Sequence, residues 1–264
     1  MADPAPNDTV LYALDGHVAT LTLNRPEQRN AVSPELTTAM DAAVRRFEQD
    51  DDAWVALLTG TGPNFCAGAD LKALAAGRAA ELTTEAGGFG GFVRYPRTKP
   101  VIAAVQGFAL AGGTELVLAC DLVVAGTDAQ FGLPEVTRGI VAAAGGLFRL
   151  PRAIPPARAM ELILTGEPMT AQDAARWGLV NHVVERERVL DTALELAEKI
   201  SAGAPLAIKA SKVIARGIED GRIASESAAW AETDRALARL STSSDTVEGI
   251  MAFMEKRAPR WTGH

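Results

Sequence analysis

The sequence predicts an α/β core followed by an all-helical C-terminal segment, and three observations carry that prediction. Short β-rich runs stopped by glycine recur, as in "WVALLTGTG", "KPVIAAVQG" and "LVVAGTDAQFG". Helical stretches such as "PPARAMELILTG" come between such runs, the alternation expected of strands paired in one sheet and covered by helices. From about residue 188 the pattern is helical throughout.

Taken in order, "TVLYALDGHVATLTLN" reads as a β-hairpin of alternating apolar residues, with Asp15-Gly16 as its turn. The polar loop "NRPEQRNAVS" follows. Ser33 then caps a helix with Pro34 at its first position, and Leu36, Met40, Ala43, Val44 and Phe47 share one face. "WVALLTGTG" is a buried strand ending in a glycine loop. "TAQDAARWG" is a helix capped by Thr170, with Asp173 three residues on, and closed by Gly178; "LVNHVV" is the last strand. "VLDTALELAEKIS", "PLAIKASKVIARGIED", "ASESAAWAETDRALARL" and "TVEGIMAFMEKR" are the terminal helices.

The chain has 264 residues, 48% hydrophobic and 22% charged, enough apolar material for one large domain. A net charge of −7 without a basic stripe argues against a nucleic-acid surface but leaves room for an anionic small molecule. Two distant cysteines, Cys66 and Cys120, suit a reducing compartment. The start "MADPAPNDTV" lacks the basic and apolar regions of a signal peptide, and no apolar run approaches the ~18 residues of a membrane span, so a cytoplasmic protein is expected.

Several chemistries lose their support. His17, His182 and His264 are scattered without metal-ligand spacing, so no metal site is expected. Both cysteines read as small buried residues. "GTGPNFCAG" lacks the Gly-Lys-Ser/Thr ending of a P-loop, and neither a G-x-G-x-x-G after a strand nor a G-x-S-x-G is present.

Two glycine turns and two glutamates remain. Gly112-Gly113 precede the helix "TELVLAC", and "NFCAGADLK" has the same build around Gly68. If the turns meet in space, their free N–H groups suit a carbonyl oxygen becoming an oxyanion; on local pattern alone, ordinary strand-to-helix turns serve equally well. Glu115 lies in the apolar stretch "GFALAGGTELVLACD" with no Lys or Arg within four residues. A carboxylate there is costly unless something compensates it. Glu135, in "QFGLPEVTRG", follows 20 residues later, far enough for the chain to return beside Glu115. Taken alone, Glu135 reads as a helix-terminal acid. Two carboxylates flanking a dry pocket are equipment for general acid–base work.

These stretches, in this order, resemble the crotonase (enoyl-CoA hydratase/isomerase) superfamily over nearly the whole chain. The resemblance rests on "NRPEQRNAVS", "FCAGADLK", "KPVIAAVQGFALAGGTELVLACD", "FGLPEVTRGI", "GGLFRLPRAI", "LTGEPMTAQDAARWGLVNHVV" and "GIMAFMEKRAPRW". It implies an α/β fold of the ClpP/crotonase type, a spiral of ββα units over residues 1–200, with residues 201–264 as a helical trimerisation region that completes the CoA site. It also implies a homotrimer or dimer of trimers, an acyl-CoA thioester substrate, no cofactor beyond that CoA, and a place in fatty acid metabolism by β-oxidation. Its motifs put the oxyanion-hole N–H groups on Ala69 and Gly112, water activation on Glu115 and proton delivery to Cα on Glu135. CoA and substrate contacts fall on Gln28, Arg29, Ala31, Ala67, Gly68, Asp70, Leu71, Gly113 and Ala143, and on Phe253 and Lys256 in a C-terminal segment that often reaches a neighbouring subunit.

Two features depart from or refine that pattern. Ala142-Ala143 stands where many hydratases carry Pro-Gly, and the added methyl reshapes the pocket near Cβ. The stretch from "FGLPEVTRG" to "RWGLVNHVV" is similar to the carnitinyl-CoA dehydratase branch. The reading is an enoyl-CoA hydratase, with three alternatives: a carnitinyl-CoA dehydratase-like hydro-lyase, a Δ3-Δ2-enoyl-CoA isomerase, or a non-catalytic acyl-CoA-binding scaffold. The Gly- and Ala-rich stretch at 73–95 is expected to wall the acyl pocket and does not identify the acyl chain.

Overall fold

The computed structural model describes residues 9–264; the first eight residues of the polar, Pro-rich start lie outside them. Strands β1 (Val10–Asp15) and β2 (Val18–Leu23) form the expected antiparallel hairpin. Its turn is one residue later than predicted. Asp15 pairs with Val18, so Gly16 and His17 make the turn, and Gly16 takes the φ of +54° that a two-residue turn with glycine in first place needs. His17 is hydrogen-bonded, its Nδ1 lying 2.7 Å from the Asp52 carbonyl while the ring stacks on Trp54.

Helix α1 (Pro34–Gln49) begins as its sequence dictates. Ser33 Oγ accepts the Leu36 N–H, Pro34 opens the first turn, and the predicted face is buried. Strands β3 (Val55–Gly60), β4 (Val101–Val105), β6 (Leu122–Gly126) and β9 (His182–Val184) continue the large sheet in parallel from β2, in the order β1-β2-β3-β4-β6-β9. Alternation along β3 and β4 sends Val55, Leu57, Ile102 and Ala104 to one face, where they meet Val189, Ala193 and Ala197 of α7 (Val189–Ser201). Ala56, Leu58, Val101 and Ala103 face the larger core, with α1's Leu36, Met40 and Phe47. Both faces are covered, so the central strands read as continuous apolar runs.

A small second sheet holds β5 (Phe108–Leu110), β7 (Gln130–Gly132) and β8 (Met169–Thr170), with β5 and β7 parallel. Cys66 bridges in parallel to Ala109 of β5, and Val32 bridges to Ala69. The chain therefore climbs in repeated steps of large-sheet strand, small-sheet strand or bridge, then helix. The steps are β2–Val32–α1, β3–Cys66–α2 (Leu71–Ala75), β4–β5–α3 (Gly112–Leu118) and β6–β7 followed by a 3-10 helix at Pro134–Arg138.

Four further helices close the first part and lead to the C-terminal segment. These are α4 (Gly146–Ala153), α5 (Pro156–Thr165), α6 (Ala171–Trp177) and, past α7, α8 (Pro205–Arg216). Thr170 and Gly178 bound α6 as the sequence predicted. Helix α8 buries none of its residues, and its Leu206 and Ile214 are 81% and 79% exposed. Helices α9 (Ser227–Leu240) and α10 (Ser244–Met254) complete the chain. No helix among the described residues is long and apolar enough to cross a membrane.

Candidate active site

Each step of the climb ends at the same edge, and the four step ends carry most of the predicted site residues, all but Ala143, Phe253 and Lys256. The first is the loop holding Gln28, Arg29 and Ala31; the second holds Ala67 to Leu71; the third holds Gly112 and Glu115; the fourth holds Glu135. Hydrogen bonds sew the steps together. Arg29 O accepts from Ala67 N–H, Gly68 O from Val32 N–H and Val32 O from Asp70 N–H; in the next seam Cys66 O accepts from Leu110 N–H.

The first two loops are held from within by Asn30 and Arg25, which the sequence reading passed over, and by Asp70, which it took as a CoA or substrate contact. Asn30, fully buried at φ +55°, donates from Nδ2 to Thr61 O and Asn64 O and accepts Arg25 N–H on Oδ1. Arg25 in turn donates to Ala31 O and forms an ion pair of 2.9 Å with Asp70. Asp70 also caps α2 by accepting the Lys72 N–H. Its carboxylate thus braces the loop on which Ala67 and Ala69 sit, while Gln28 and Arg29 remain exposed beside it.

The two glycine turns do meet. Gly68 has φ +95°, and a Cβ placed on it would lie 2.7 Å from Ala111 Cβ and 3.2 Å from Gly112 N. A Cβ on Gly113 would stand 2.2 Å from Cys66 O, so Gly113 serves the close approach of the turns. Among the described residues, neither Ala69 N–H nor Gly112 N–H finds an acceptor, which leaves two donors from touching turns. Ala111 sets the second one. It holds φ +53°, ψ −127°, a region costly for any residue with a Cβ, and this local strain aims the following peptide. The ring of Phe89, from the Gly-rich stretch expected to wall the pocket, stands over Gly112; a Cβ there would meet its Cε1 at 2.4 Å.

Glu115 is 3% exposed and is not unpartnered. Its Oε1 accepts the Ala144 N–H at 2.7 Å and the Gly146 N–H at 2.8 Å. Sequence alone showed no compensating cation nearby; the compensation comes from backbone donors 29 and 31 residues away. The fit is close, since a Cβ on Gly146 would come within 3.0 Å of Glu115 Oε1. Ala143, half-buried, lies next to the donor Ala144. Glu135, 6% exposed in the first turn of the 3-10 helix, has an Oε2 with no hydrogen-bond partner among the described residues.

Burial pushes both carboxyls up. Glu115 rises to about 7, restrained by the Gly146 and Ala144 N–H bonds and by the Arg149 charge. Glu135 rises to about 8 through burial and then the adjacent Glu115 charge, restrained only by its own backbone N–H. The pair therefore holds a proton near neutral pH, and the two N–H bonds on Glu115 favour the carboxylate there, which leaves the proton to Glu135. Arg149, buried on α4, is held by a bidentate ion pair to Glu226 just before α9, with contacts of 3.0 and 2.7 Å.

Because both pKa values are raised above 4.5, proton uptake favours the folded state. That contribution is whole below the ordinary glutamate pKa and is lost as pH rises through about 7 and about 8. Thermal unfolding is expected to show Glu135→Gln more stable than the parent near pH 8.5 by a few degrees and equal to it near pH 4.5; the same difference at both pH values would refute the linkage.

At the other end of the chain, α10 lies against the 3-10 helix that carries Glu135. Phe253 sits with the Arg138 guanidinium 4.3 Å from its ring centroid, and Thr246 Oγ1 donates to Gly139 O. Phe253 and Lys256 line a groove of about 200 Å³ with Thr137, Arg138 and Arg257. The expected C-terminal contact residues thus lie beside this chain's own Glu135 segment. Among the described residues, no three His, Cys, Asp or Glu side chains are grouped as metal ligands.

Known proteins resemble this chain over nearly its whole length. Residues 14–264 match the family model described as enoyl-CoA hydratase/isomerase. The chain is 42% identical to the carnitinyl-CoA dehydratase of Proteus mirabilis over 255 residues, covering 94% of this chain and 96% of that one. It is 44% identical to the mevalonyl-coenzyme A hydratase of Aspergillus fumigatus over 249 residues, covering 93% and 91%. Among solved structures, a carnitinyl-CoA hydratase from Mycobacterium avium superposes with a TM-score of 0.93 at 46% identity, covering 98% of this chain and 100% of that one.

Proposed function

The chain belongs to the enoyl-CoA hydratase/isomerase family, and from that premise we propose that it is a hydro-lyase adding water reversibly and syn across a trans-2-enoyl-CoA thioester. The observation that carries this reading is the unequal pair of buried glutamates beside two free N–H donors from touching turns.

The atoms move as follows. Glu115 takes a proton from a water molecule whose oxygen bonds to Cβ of the enoyl group. The electron pair of the double bond shifts toward the thioester, and the Ala69 and Gly112 N–H groups stabilise the enolate oxygen. Glu135 delivers its proton to Cα. Glu115 ends protonated and Glu135 ionised, and proton exchange between them restores the starting state. Covering by substrate strengthens each of these interactions, since little water then screens the site. No step draws on a cofactor beyond the CoA of the substrate. An isomerase needs a carboxylate only at the position of Glu135, so the well-held Glu115 speaks for hydration.

A second reading concerns the acyl group. The relatives named for carnitinyl-CoA and mevalonyl-CoA favour a branched or polar acyl chain over a straight one. The reading further places the protein in the cytoplasm, in β-oxidation-type acyl-CoA breakdown. It assembles as a homotrimer or dimer of trimers that covers the exposed Leu206 and Ile214 of α8. The test is loss of conjugated-thioester absorbance with crotonyl-CoA and with longer, branched and polar enoyl-CoAs. Turnover of at least one is expected. Tight binding of CoA thioesters without turnover of any would favour a scaffold instead.

A further inference from the structure

Thr114 takes no part in the chemistry above, yet its side chain is closely tied down. It is 0% exposed. Its Oγ1 lies 2.5 Å from Ala109 O and 2.9 Å from Gly132 O, and it accepts the Gly132 N–H at 2.9 Å. Ala111 N–H also donates to Gly132 O, at 2.9 Å. The single hydroxyl proton serves one of the two carbonyls, while the lone pairs satisfy the glycine N–H. Both sides of the Gly132 residue are thereby clasped by the first turn of α3.

What the clasp joins gives it meaning. Thr114 is adjacent to Glu115 and two residues from Gly112, and Gly132 leads through Leu133 and Pro134 into Glu135. Pro134 narrows the freedom of that short lead. The hydroxyl therefore sits one residue from the proton acceptor and two from the oxyanion donor of the proposed reaction, and it grips a residue three before the proton donor. No other side-chain hydrogen bond among the described residues joins α3 to the strand that feeds the 3-10 helix. We propose that Thr114 is a positioning residue whose hydroxyl sets the spacing between Glu115 and Glu135 and their placement under the Ala69 and Gly112 donors.

A hydroxyl suits the role for a geometric reason. It can donate and accept at once within one buried point, so it can grip an N–H and a carbonyl together. Valine has the same shape and can do neither, which leaves the Gly132 N–H buried without an acceptor. Cysteine keeps the size but bonds weakly. Serine keeps both functions and loses only a methyl group.

The proposal rests on the hydratase reading for its kinetic arm, so a second arm reads the pair directly. In the first, Thr114→Val, Thr114→Cys and Thr114→Ser are compared for kcat, KM and the pH profile with whichever enoyl-CoA the parent turns over. Thr114→Val is expected to lower kcat at least tenfold with KM changed less than threefold, and Thr114→Ser to stay within about threefold of the parent. In the second, carboxyl-13C glutamate labelling follows the titration of Glu115 and Glu135, assigned with the single glutamine variants. Both apparent pKa values are expected to move by about half a unit or more in Thr114→Val and to stay in place in Thr114→Ser. If Thr114→Val does not fold, Thr114→Cys takes its place with the same direction of change. A valine or cysteine variant with unmoved titration overturns the proposal, as does a serine variant as impaired as valine. An enzyme inactive on every enoyl-CoA whose glutamate titration still responds to Thr114 would refute the hydratase reading and leave the positioning role standing.

Discussion

Glu115→Gln is expected to lower kcat for enoyl-CoA hydration by roughly 10²–10⁴-fold while KM changes little, the range set by removing a positioned general base. Glutamine is a demanding test because it keeps what holds the position. Its amide oxygen can still accept the Ala144 and Gly146 N–H bonds, so the loop and α4 stay in place while the proton acceptor is gone. Glu135→Gln should fall comparably, since the Cα proton donor is lost. The parent should work best between the two titrations, losing rate on the acid side as Glu115 protonates near about 7 and on the alkaline side as Glu135 ionises near about 8. Stopped assays of both variants across pH 5–10 would check this. A Glu115→Gln enzyme that hydrates at the parent's rate would remove Glu115 from the mechanism.

Gly68→Ala is expected to reduce kcat by roughly 10²-fold or more, through the oxyanion donors and not through the carboxylates. Two separate penalties act. The φ of +95° is strained for alanine, and the new methyl would stand 2.7 Å from Ala111 Cβ and 3.2 Å from Gly112 N. Either the Gly68 turn or the Ala111–Gly112 turn must give way, and each carries one of the two N–H groups. A folded Gly68→Ala protein, checked by circular dichroism, should therefore lose turnover by a far larger factor than it loses CoA binding. Retention of turnover within a few-fold would show that the thioester oxygen is held elsewhere.

The sequence made some of this legible and hid the rest for identifiable reasons. Ser33, Thr170 and Gly178 act through neighbours three or four residues away, so their roles could be read from local spacing. Strands buried on both faces announced themselves as unbroken apolar runs. Glu115 was conspicuous because its surroundings were apolar, and Gly68 and Gly112 because they stood between a strand and a helix. The partners of Glu115 were invisible, since backbone N–H groups carry no residue signature. Thr114 and Asn30 were missed for a related reason: the bonds by which they join separate steps cross 18 to 34 residues of chain. A threonine inside a helix and an asparagine inside a polar loop look ordinary until the steps of the fold are stacked. Ala111 gave no sign at all, because alanine at positive φ is what local preference argues against.

The stepped climb has one more consequence. The four loop ends that build the reaction centre come from four successive turns whose pitch is set by sheet pairing, so none of them can change length without displacing the others. The stretch from Ala76 to Pro100, between α2 and β4, is different. It is a long excursion out of the spiral, and it carries Phe89 back over Gly112. On the proposed reading, lengthening or recomposing it would alter what the thioester's tail meets and leave the pitch untouched. If the proposed chemistry holds, the reaction belongs to the spiral as a whole, while the choice of acyl chain is an exchangeable insert.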